Sequence, residues 1–320
     1  MSVLQQTILT KKAALADAVA EPLGRLAQRC ARAWPDAEAL DRELAAAIRG
    51  VPNCHLLYCW DVNGIEVSSM VQPSGADRAW RGRDLSQRPY LKNHLPFKGI
   101  MLSSVYQSIY VDTRCITALQ AVARDHTLLG FIAADFAVND LLHDTKLVPA
   151  EMGWKQFRGD PSVRGTVFMQ TRATSVFDQH IDAALARTDA LMRDHGVFHG
   201  KIHFSSGRCS FWLLDDPYHY RLHGVEEIID PDLCLAYPLR PYAANAKTPA
   251  GEIAQVFRQF KALRFADETI YLRSGSLNVM NGMVGLTFSC DGSHYMPVED
   301  FLDKDLEFWV GALPSARASV

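Results

Sequence analysis

The chain has 320 residues, of which 48% are hydrophobic and 22% are charged, and these proportions exclude a mainly disordered protein. The formal net charge is -3, from 33 Lys and Arg against 36 Asp and Glu. No dense basic block is present, so we expect no nucleic-acid partner. A chain of this length commonly divides its core, and we expect two domains.

The cysteines and the N-terminus predict a cellular compartment. Seven cysteines is an odd number, their spacing is wide, and no CxxC occurs, which is typical of reduced, buried thiols rather than of a disulfide framework. The N-terminus lacks the pattern of a secretory signal, and nowhere do some 18 apolar residues run together. We therefore expect a cytoplasmic protein with no membrane partner.

The first half predicts helices followed by an antiparallel sheet. Apolar positions at helical spacing predict one long helix over residues 3–33, and a second helix follows from residue 36. HLLYCW, the turn DVNG and IEVSSMV then predict a β-hairpin, because Asn63 and Gly64 tolerate the positive φ of tight turns. Further strands are predicted over 102–110, 115–123 and 128–136. The loop between the second and third predicted strands, about residues 72–101, is long, and long ordered loops often carry function.

The second half also predicts mixed helices and strands. A polar stretch rich in Gly and Pro follows the first half, so we place domains at residues 1–148 and 149–313, with a flexible tail at 314–320. Helices are predicted over 174–195, 251–263 and 298–310, and strands over 199–214, 269–273 and 283–290. DDPYHY (215–220) and LRSGSLN (272–278) read as turns. Because strands and helices are segregated rather than alternating, the pattern favours an α+β fold.

The segment RGRDLSQRPYL, residues 81–91, concentrates three arginines inside the long loop. The planar fork of arginine donates two parallel hydrogen bonds to a carboxylate and keeps its charge at neutral pH. Pro89 fixes its own φ and pushes Arg88 toward extended geometry. The segment is therefore either an anion-binding site or a loop in which Arg81, Arg83 and Arg88 pair with Asp84 or Asp77.

Four segments of the first half, WDVNGIEVSS, GRDLSQRPYLK, LSSVYQS and GFIAADF, resemble in order and spacing the PDC or Cache domain. This is a PAS-like sensor fold of chemoreceptors and sensor kinases. The resemblance implies a long N-terminal helix on a PAS-like antiparallel sheet, with a pocket between the loop and the sheet for an amino acid or a carboxylate. It implies that Arg88 grips the ligand carboxylate beside Tyr90, that Tyr106 and Ser108 line the pocket, and that Asp135 meets an amine.

The residues alone leave alternatives open for these positions. Asp135 follows an apolar run and must lie at a strand end or have a partner, since an isolated buried carboxylate is very costly. It would otherwise cap the following turn. By strand alternation Tyr106, Ser108 and Tyr110 share one face, which is either a pocket wall or a polar stripe facing solvent.

Histidines cluster in the second half and allow a different function. Five of the eleven histidines lie between residues 195 and 223. His199 and His203 share one side of a predicted strand, and His219 can approach them, so zinc or iron ligation is possible. No HExxH, GxSxG, GxGxxG or phosphate-loop motif accompanies them, and surface or core histidines are the alternative.

The sequence therefore predicts a cytoplasmic sensory protein that binds a small carboxylate or an amino-acid-like metabolite and signals through a protein partner or a homodimer. No cofactor is expected in this case. The alternative is an enzyme with a histidine-rich, metal-dependent site in the second half. A third possibility is a structural adaptor with a vestigial pocket.

Overall fold

The computed structural model describes residues 3–88, 99–143, 171–290 and 292–310. The chain forms two compact units, residues 1–151 and 152–320. Each unit contains helices and one antiparallel sheet, so the predicted α+β class is confirmed. Among the helices of the described ranges, none is long and apolar enough to cross a lipid bilayer. The predicted tail, residues 314–320, lies outside the described residues.

Two helices open the first unit. Helix α1 spans Val3–Ala33, which confirms the predicted long helix. Its buried apolar side chains recur at helical spacing: Leu15, Val19, Leu23, Leu26 and Cys30. Helix α2 spans Ala37–Ala47 and begins at Asp36, whose carboxylate accepts hydrogen bonds from the backbone N–H groups of Glu38 and Ala39.

Among the described residues, seven strands form the sheet of the first unit. They are β1 (Leu56–Asp61), β2 (Met70–Gln72), β3 (Gly75–Asp77), β4 (Ile100–Leu102), β5 (Tyr106–Gln107), β6 (Arg114–Arg124) and β7 (Thr127–Ala137). The spatial order is β3-β2-β1-β7-β6-β4, and β5 also pairs with β6. Helix α1 packs against β4, β6 and β7, which is the predicted arrangement of a long N-terminal helix on an antiparallel sheet. Helix α3 (Val138–His143) follows β7.

The longest strands, β6 and β7, form one hairpin. Asp125 and His126 at its tip have φ values of 50° and 64°, the left-handed conformation that a two-residue hairpin turn requires. The pairing places Thr117 opposite Asp135 and Leu119 opposite Ala133. Because β1 pairs with the other edge of β7, Asp135 lies on a central strand between β1 and β6.

Two predicted strands of this unit are interrupted. After the turn at Asp61–Gly64 the chain does not continue as one strand to β2, because the backbone N–H and hydroxyl of Ser69 bind the carboxylate of Asp41 on α2. The strand predicted over 102–110 is likewise two short strands, β4 and β5. Between them the backbone N–H of Ser103 binds the carbonyl oxygen of Thr117 at 2.9 Å.

The part of the second unit that the structure describes is built on a six-stranded sheet. Its strands are β8 (Val197–His203), β9 (Arg208–Leu213), β10 (Asp216–Gly224), β11 (Leu272–Asn278), β12 (Met283–Phe288) and β13 (Ser293–Pro297), in the order β10-β9-β8-β11-β12-β13. Its helices are α4 (Val176–Gln179), α5 (Ile181–Asp194), α6 (Val225–Ile228), α7 (Ala250–Phe265), α8 (Val298–Leu302) and α9 (Leu306–Val310).

Two segments predicted as turns are strands in this sheet. DPYHY belongs to β10, an edge strand whose register shifts between Asp216 and Tyr220. An edge strand tolerates Pro217 because the missing N–H is not needed there. LRSGSLN is β11, in the middle of the sheet. Its Gly275 lies against the ring of Phe260, where a Cβ would come within 2.8 Å of the ring carbons, so packing selects the small residue.

A buried ion pair joins α4 and α7 in the second unit. Arg264 is 0% exposed, and its guanidinium donates two hydrogen bonds to the carboxylate of Asp178, at 2.8 and 2.7 Å. Bidentate hydrogen bonding of this kind allows a charged pair to be buried in a core.

Candidate ligand-binding site

The candidate site lies on one face of the sheet in the first unit. Alternate residues of β1, such as Tyr58 and Trp60, pack there with Tyr106, Leu119 and Phe131, and no described residue of α1 belongs to this cluster. The intervening residues of the strands point to the other face, because side chains alternate along a strand. The cluster therefore forms a second apolar surface, distinct from the surface that α1 covers.

Asp135 is the buried acid at one end of this face. Its side chain accepts a hydrogen bond from the Thr117 hydroxyl at 2.7 Å, and the Tyr58 hydroxyl lies 3.5 Å from the same oxygen. The Tyr106 hydroxyl lies 2.7 Å from Thr117 Oγ1. Because Thr117 gives its proton to Asp135, Tyr106 donates to Thr117. A chain of hydrogen bonds thus runs from Tyr106 through Thr117 to the carboxylate.

The pKa of Asp135 reflects competition between burial and these hydrogen bonds. Burial raises the pKa of Asp135 to about 6, while the hydrogen bond from Thr117, the neighbouring Tyr106 hydroxyl and the charge of Arg88 oppose the rise. A nearby cationic group would favour the ionised form further. The site therefore holds an acid whose charge responds to what binds beside it.

Arg88 approaches the same end of the face. Its guanidinium carbon lies 5.3 Å from the centre of the Tyr106 ring, within the range of a cation–π contact. Its backbone N–H donates to the carbonyl oxygen of Leu85 at 2.9 Å, and its side chain is half-buried. Three residues predicted from the resemblance, Arg88, Tyr106 and Asp135, are therefore near one another. Tyr90, also predicted, lies outside the described residues.

Ser108 is buried, and its hydroxyl forms a hydrogen bond within the turn that follows β5. The hydroxyl oxygen accepts a hydrogen bond from the backbone N–H of Tyr110 at 3.2 Å, and the backbone N–H of Ser108 donates to the carbonyl oxygen of Thr113 at 2.9 Å. Because β5 ends at Gln107, strand alternation does not continue through Ser108 to Tyr110. The shared face predicted for Tyr106, Ser108 and Tyr110 is therefore not produced by one strand.

Thr117 and Tyr58 belong to the site and were not predicted. Both lie in strands whose positions were expected, Tyr58 in β1 and Thr117 in β6, and the register places Thr117 directly opposite Asp135. Alternation within CITALQAVA is the signal that would have identified Thr117, the one hydroxyl side chain in that run. Its meaning depends on pairing with a strand that is distant in sequence.

The arginines before Arg88 hold the loop against the unit. Arg81 binds Asp41 and Glu38 of α2 and donates to the Ser69 hydroxyl, so its partners are not the predicted Asp84 or Asp77. Arg83 lies with its guanidinium carbon 4.2 Å from the centre of the Trp80 ring. The carboxylate of Asp84 accepts from the backbone N–H of Ser86 at 2.8 Å and forms a turn.

The histidines of the second unit have separate partners. His199 packs edge-on against Trp212, and burial lowers the pKa of His199 to about 4. His219 binds Asp216 at 2.8 Å. His223 binds Glu227 through Nδ1 and the Tyr237 hydroxyl through Nε2. Within the described ranges, no three His, Cys, Asp or Glu side chains come together as metal ligands, so the structure does not assemble the alternative site of His199, His203 and His219 there.

Comparison with known proteins finds similarity only among solved structures. No family model matches the chain, and no curated protein matches it. The sensory domain of the Campylobacter jejuni chemoreceptor Tlp3 with isoleucine bound is 17% identical with a TM-score of 0.35, over 44% of this chain and 58% of that domain. The ligand-binding domain of the Pseudomonas fluorescens chemoreceptor CtaA in complex with L-isoleucine is 18% identical with a TM-score of 0.34, over 42% and 54%.

The chain thus spans less than two thirds of the length of these domains. One is described as a chemoreceptor sensory domain and the other as a chemoreceptor ligand-binding domain.

Proposed function

We propose that the first unit is a sensory domain that binds a small metabolite at the end of the sheet face occupied by Asp135. One observation carries the proposal: a buried acid, held by the hydrogen bonds of Thr117, lies on the same face as a tyrosine ring that is in contact with Arg88. An acid and a base that share an aromatic wall suit a ligand with both a carboxylate and an amine. The proposed ligand is a small carboxylate or an amino-acid-like metabolite.

Each polar group has a role in this proposal. Arg88 donates to the ligand carboxylate, since its fork matches the two oxygens. Asp135 accepts from the ligand amine, and its ionised form is favoured as the cation arrives. Tyr106 contributes its ring to the wall and its hydroxyl to the chain that supports Asp135. Tyr90 and Ser108 remain proposed ligand neighbours from the resemblance alone.

The loop that carries Arg88 also offers a route for the signal. Arg81, seven residues earlier, binds α2 through Asp41 and Glu38. A ligand that draws Arg88 toward the sheet therefore shifts a segment whose other end holds α2. We propose that this change passes to a protein partner or across a homodimer, and that residues 1–148 and 149–313 are the sensor and the responding domain.

A cytoplasmic location is part of the proposal. The seven cysteines are free thiols, and six of them are buried. Proteins of oxidising compartments more often pair their cysteines. Titration of the unfolded, unreduced protein should find seven thiols per chain, and a count of five or fewer would contradict this location.

The proposal is tested by thermal unfolding against a panel of amino acids, small carboxylates and amines. A ligand that binds only the folded state stabilises it by about 2.7 kcal/mol at a hundredfold excess over its Kd. Arg88→Ala should abolish the shift. Arg78→Ala is the matched control, because Arg78 lies in the same segment but forms an exposed ion pair with Glu38. A shift that survives Arg88→Ala, or no shift with any compound, would contradict the proposal.

A further inference from the structure

The carboxyl group of another buried acid of the first unit, Glu66, has no hydrogen-bond partner among the described residues. Glu66 is 2% exposed, and neither of its Oε atoms has a hydrogen-bond partner among the residues that the structure describes. An unpaired buried carboxyl group is costly, because it loses its hydration and gains nothing in return. A costly group of this kind calls for a partner that the described residues do not supply.

The position of Glu66 places it on the candidate face. Glu66 forms an antiparallel bridge with Trp60, and residues directly opposite in such a bridge point to the same side. Trp60 belongs to the cluster that also contains Tyr58 and Tyr106. The indole N–H of Trp60 likewise has no partner within the described ranges. Two unpaired polar groups therefore occur together on the face that carries Asp135.

Two half-buried groups lie within electrostatic reach of Glu66. The charge of Asp77 raises the pKa of Glu66, and the charge of Glu66 contributes to raising the pKa of Tyr110. The Tyr110 hydroxyl donates to Asp77 at 3.4 Å, and Trp80 packs edge-on against the Tyr110 ring. Asp77 and Tyr110 are partly exposed, so they can form the solvent side of a site whose buried side is Glu66.

Arg83, a cation close enough to act on Glu66, does not form a hydrogen bond with its carboxyl group. The charge of Arg83 lowers the pKa of Glu66, so the two are close, but the guanidinium of Arg83 lies over the Trp80 ring. Two acids, Glu66 and Asp77, therefore share a region in which no described hydrogen bond reaches the carboxyl group of Glu66. A cationic donor is the group that would complete it.

We propose that Glu66 and Asp77 form a subsite for an ammonium or guanidinium group of the ligand. This inference rests on the proposed function, because it assigns the second end of the same ligand. The bound cation donates to both Oε atoms of Glu66, as an ammonium or a guanidinium does with a carboxylate. Tyr110 and Trp80 flank it on the outer side.

The spacing of the two acids indicates the shape of the ligand. Asp135 pairs with Leu56 on one side of β1, whereas Glu66 bridges to Trp60 on the other side. Leu56 and Trp60 are four residues apart along β1, and the segments that carry Asp135 and Glu66 are separated by two strand spacings. Combined at right angles, these displacements place the Cα atoms of Asp135 and Glu66 about 16 Å apart. One small group cannot occupy both positions. The ligand is therefore elongated, with its carboxylate toward Arg88 and its cation toward Glu66.

The test compares ligands that differ only in the distal charge. The 320-residue chain is titrated by calorimetry with L-arginine against L-citrulline, and with L-lysine against L-norleucine. The cationic member of at least one pair should bind at least tenfold more tightly than its neutral match. Glu66→Gln should remove that advantage and leave the binding of the neutral compound unchanged. Glu21→Gln, at an exposed position of α1, is the control.

The outcomes separate this inference from the proposed function. Neutral compounds that bind as tightly as cations, or a preference that survives Glu66→Gln, overturn the subsite and leave the function standing. The subsite also falls if no cation binds while another compound binds and requires Arg88. Failure of every compound in both panels overturns the two together.

A second readout uses the unmodified protein. Burial raises the pKa of Glu66 to about 8, with Arg83 opposing the rise and Asp77 and Asp41 adding to it. At pH 7 the carboxyl is then mostly protonated, and a bound cation that ionises it releases about 0.9 proton. Calorimetry of one cationic ligand in two buffers of different ionisation enthalpy measures this number. Release near zero would overturn the subsite even if the Glu66 variant were unstable.

Discussion

Replacing Glu66 by glutamine should stabilise the ligand-free protein, and the gain should grow with pH. Burial raises the pKa of Glu66 from 4.5 in the unfolded reference to about 8 in the folded chain. Between these values the folded state binds a proton that the unfolded state has lost, so stability falls as pH rises. Glutamine keeps the shape of the protonated acid and does not ionise. The difference between the two proteins is therefore absent near pH 4.

The size of the effect follows from the two pKa values. Each pKa unit corresponds to about 1.4 kcal/mol, so the folded wild type loses about 3 kcal/mol relative to Glu66→Gln at pH 7. Above pH 8 the difference levels off at about 5 kcal/mol, because Glu66 is then ionised in both states. Other groups, Asp135 among them, titrate in both proteins and cancel in the comparison.

Urea unfolding of both proteins at intervals from pH 4 to pH 9 measures this difference directly. The midpoints should coincide at low pH and separate steadily between pH 5 and pH 8. Glu21→Gln, which removes one charge from an exposed position, should show no such separation. A constant gap between wild type and Glu66→Gln over the whole range would refute the reasoning, because Glu66 would then titrate normally in the folded state.

Two further predictions concern packing and buried charge. Asp178→Ala leaves the guanidinium of Arg264 buried without its carboxylate and should lower the free energy of unfolding of the second unit by about 3 to 5 kcal/mol, measured by urea unfolding; a loss below 1 kcal/mol would contradict this. Gly130→Ala places a Cβ 2.3 Å from the carbonyl oxygen of Trp60 and 2.6 Å from the Trp34 ring, and should cost about 1 to 3 kcal/mol. Its control is Gly24→Ala, at a position of α1 with open space around it, which should stabilise the protein by up to about 1 kcal/mol. Equal changes in the free energy of unfolding for the two variants would show that the close contact at Gly130 is unimportant.

The helices and strands predicted best are those whose structure follows from the local pattern of apolar residues. Helix α1 was predicted over its full length, because its apolar residues follow the helical period without interruption. Strands β6 and β7 were also predicted, since CITALQAVA and LLGFIAADF are largely apolar runs. The class of fold followed from the separation of helices from strands along the chain.

The elements that were missed depend on partners distant in sequence. LRSGSLN has the composition of a turn, yet it is a central strand because Phe260 of α7 packs where Gly275 leaves space. The hairpin strand after Gly64 is interrupted because Asp41 of α2 binds Ser69. Neither Phe260 nor Asp41 is near these segments in the sequence, so local patterns cannot reveal the contact.

The site was predicted in part for the same reason. The resemblance named Arg88, Tyr106 and Asp135, which the structure places near one another, and their role in ligand binding stays a prediction. Thr117 supports Asp135 through strand register, and Glu66 reaches the face through a single bridge to Trp60. Strand register and isolated bridges are set by the folded sheet, and a sequence without its pairing does not contain them.

The central claim is that the ligand binds where the hydrogen bonds of Thr117 support Asp135. Calorimetric titration of Thr117→Val, with the compound that raises the Tm of the wild type most, tests it most directly. Removing the hydroxyl takes a hydrogen bond from the charged form of Asp135 and raises its pKa from about 6 by about 1 to 2 units, so at pH 7 more of the free protein carries a protonated Asp135 and Kd should rise by about 2- to 15-fold. Thr188→Val removes a buried threonine hydroxyl from the second unit, where it binds the carbonyl oxygen of Ala184, and should leave Kd unchanged. Equal affinity of wild type and Thr117→Val would contradict the claim.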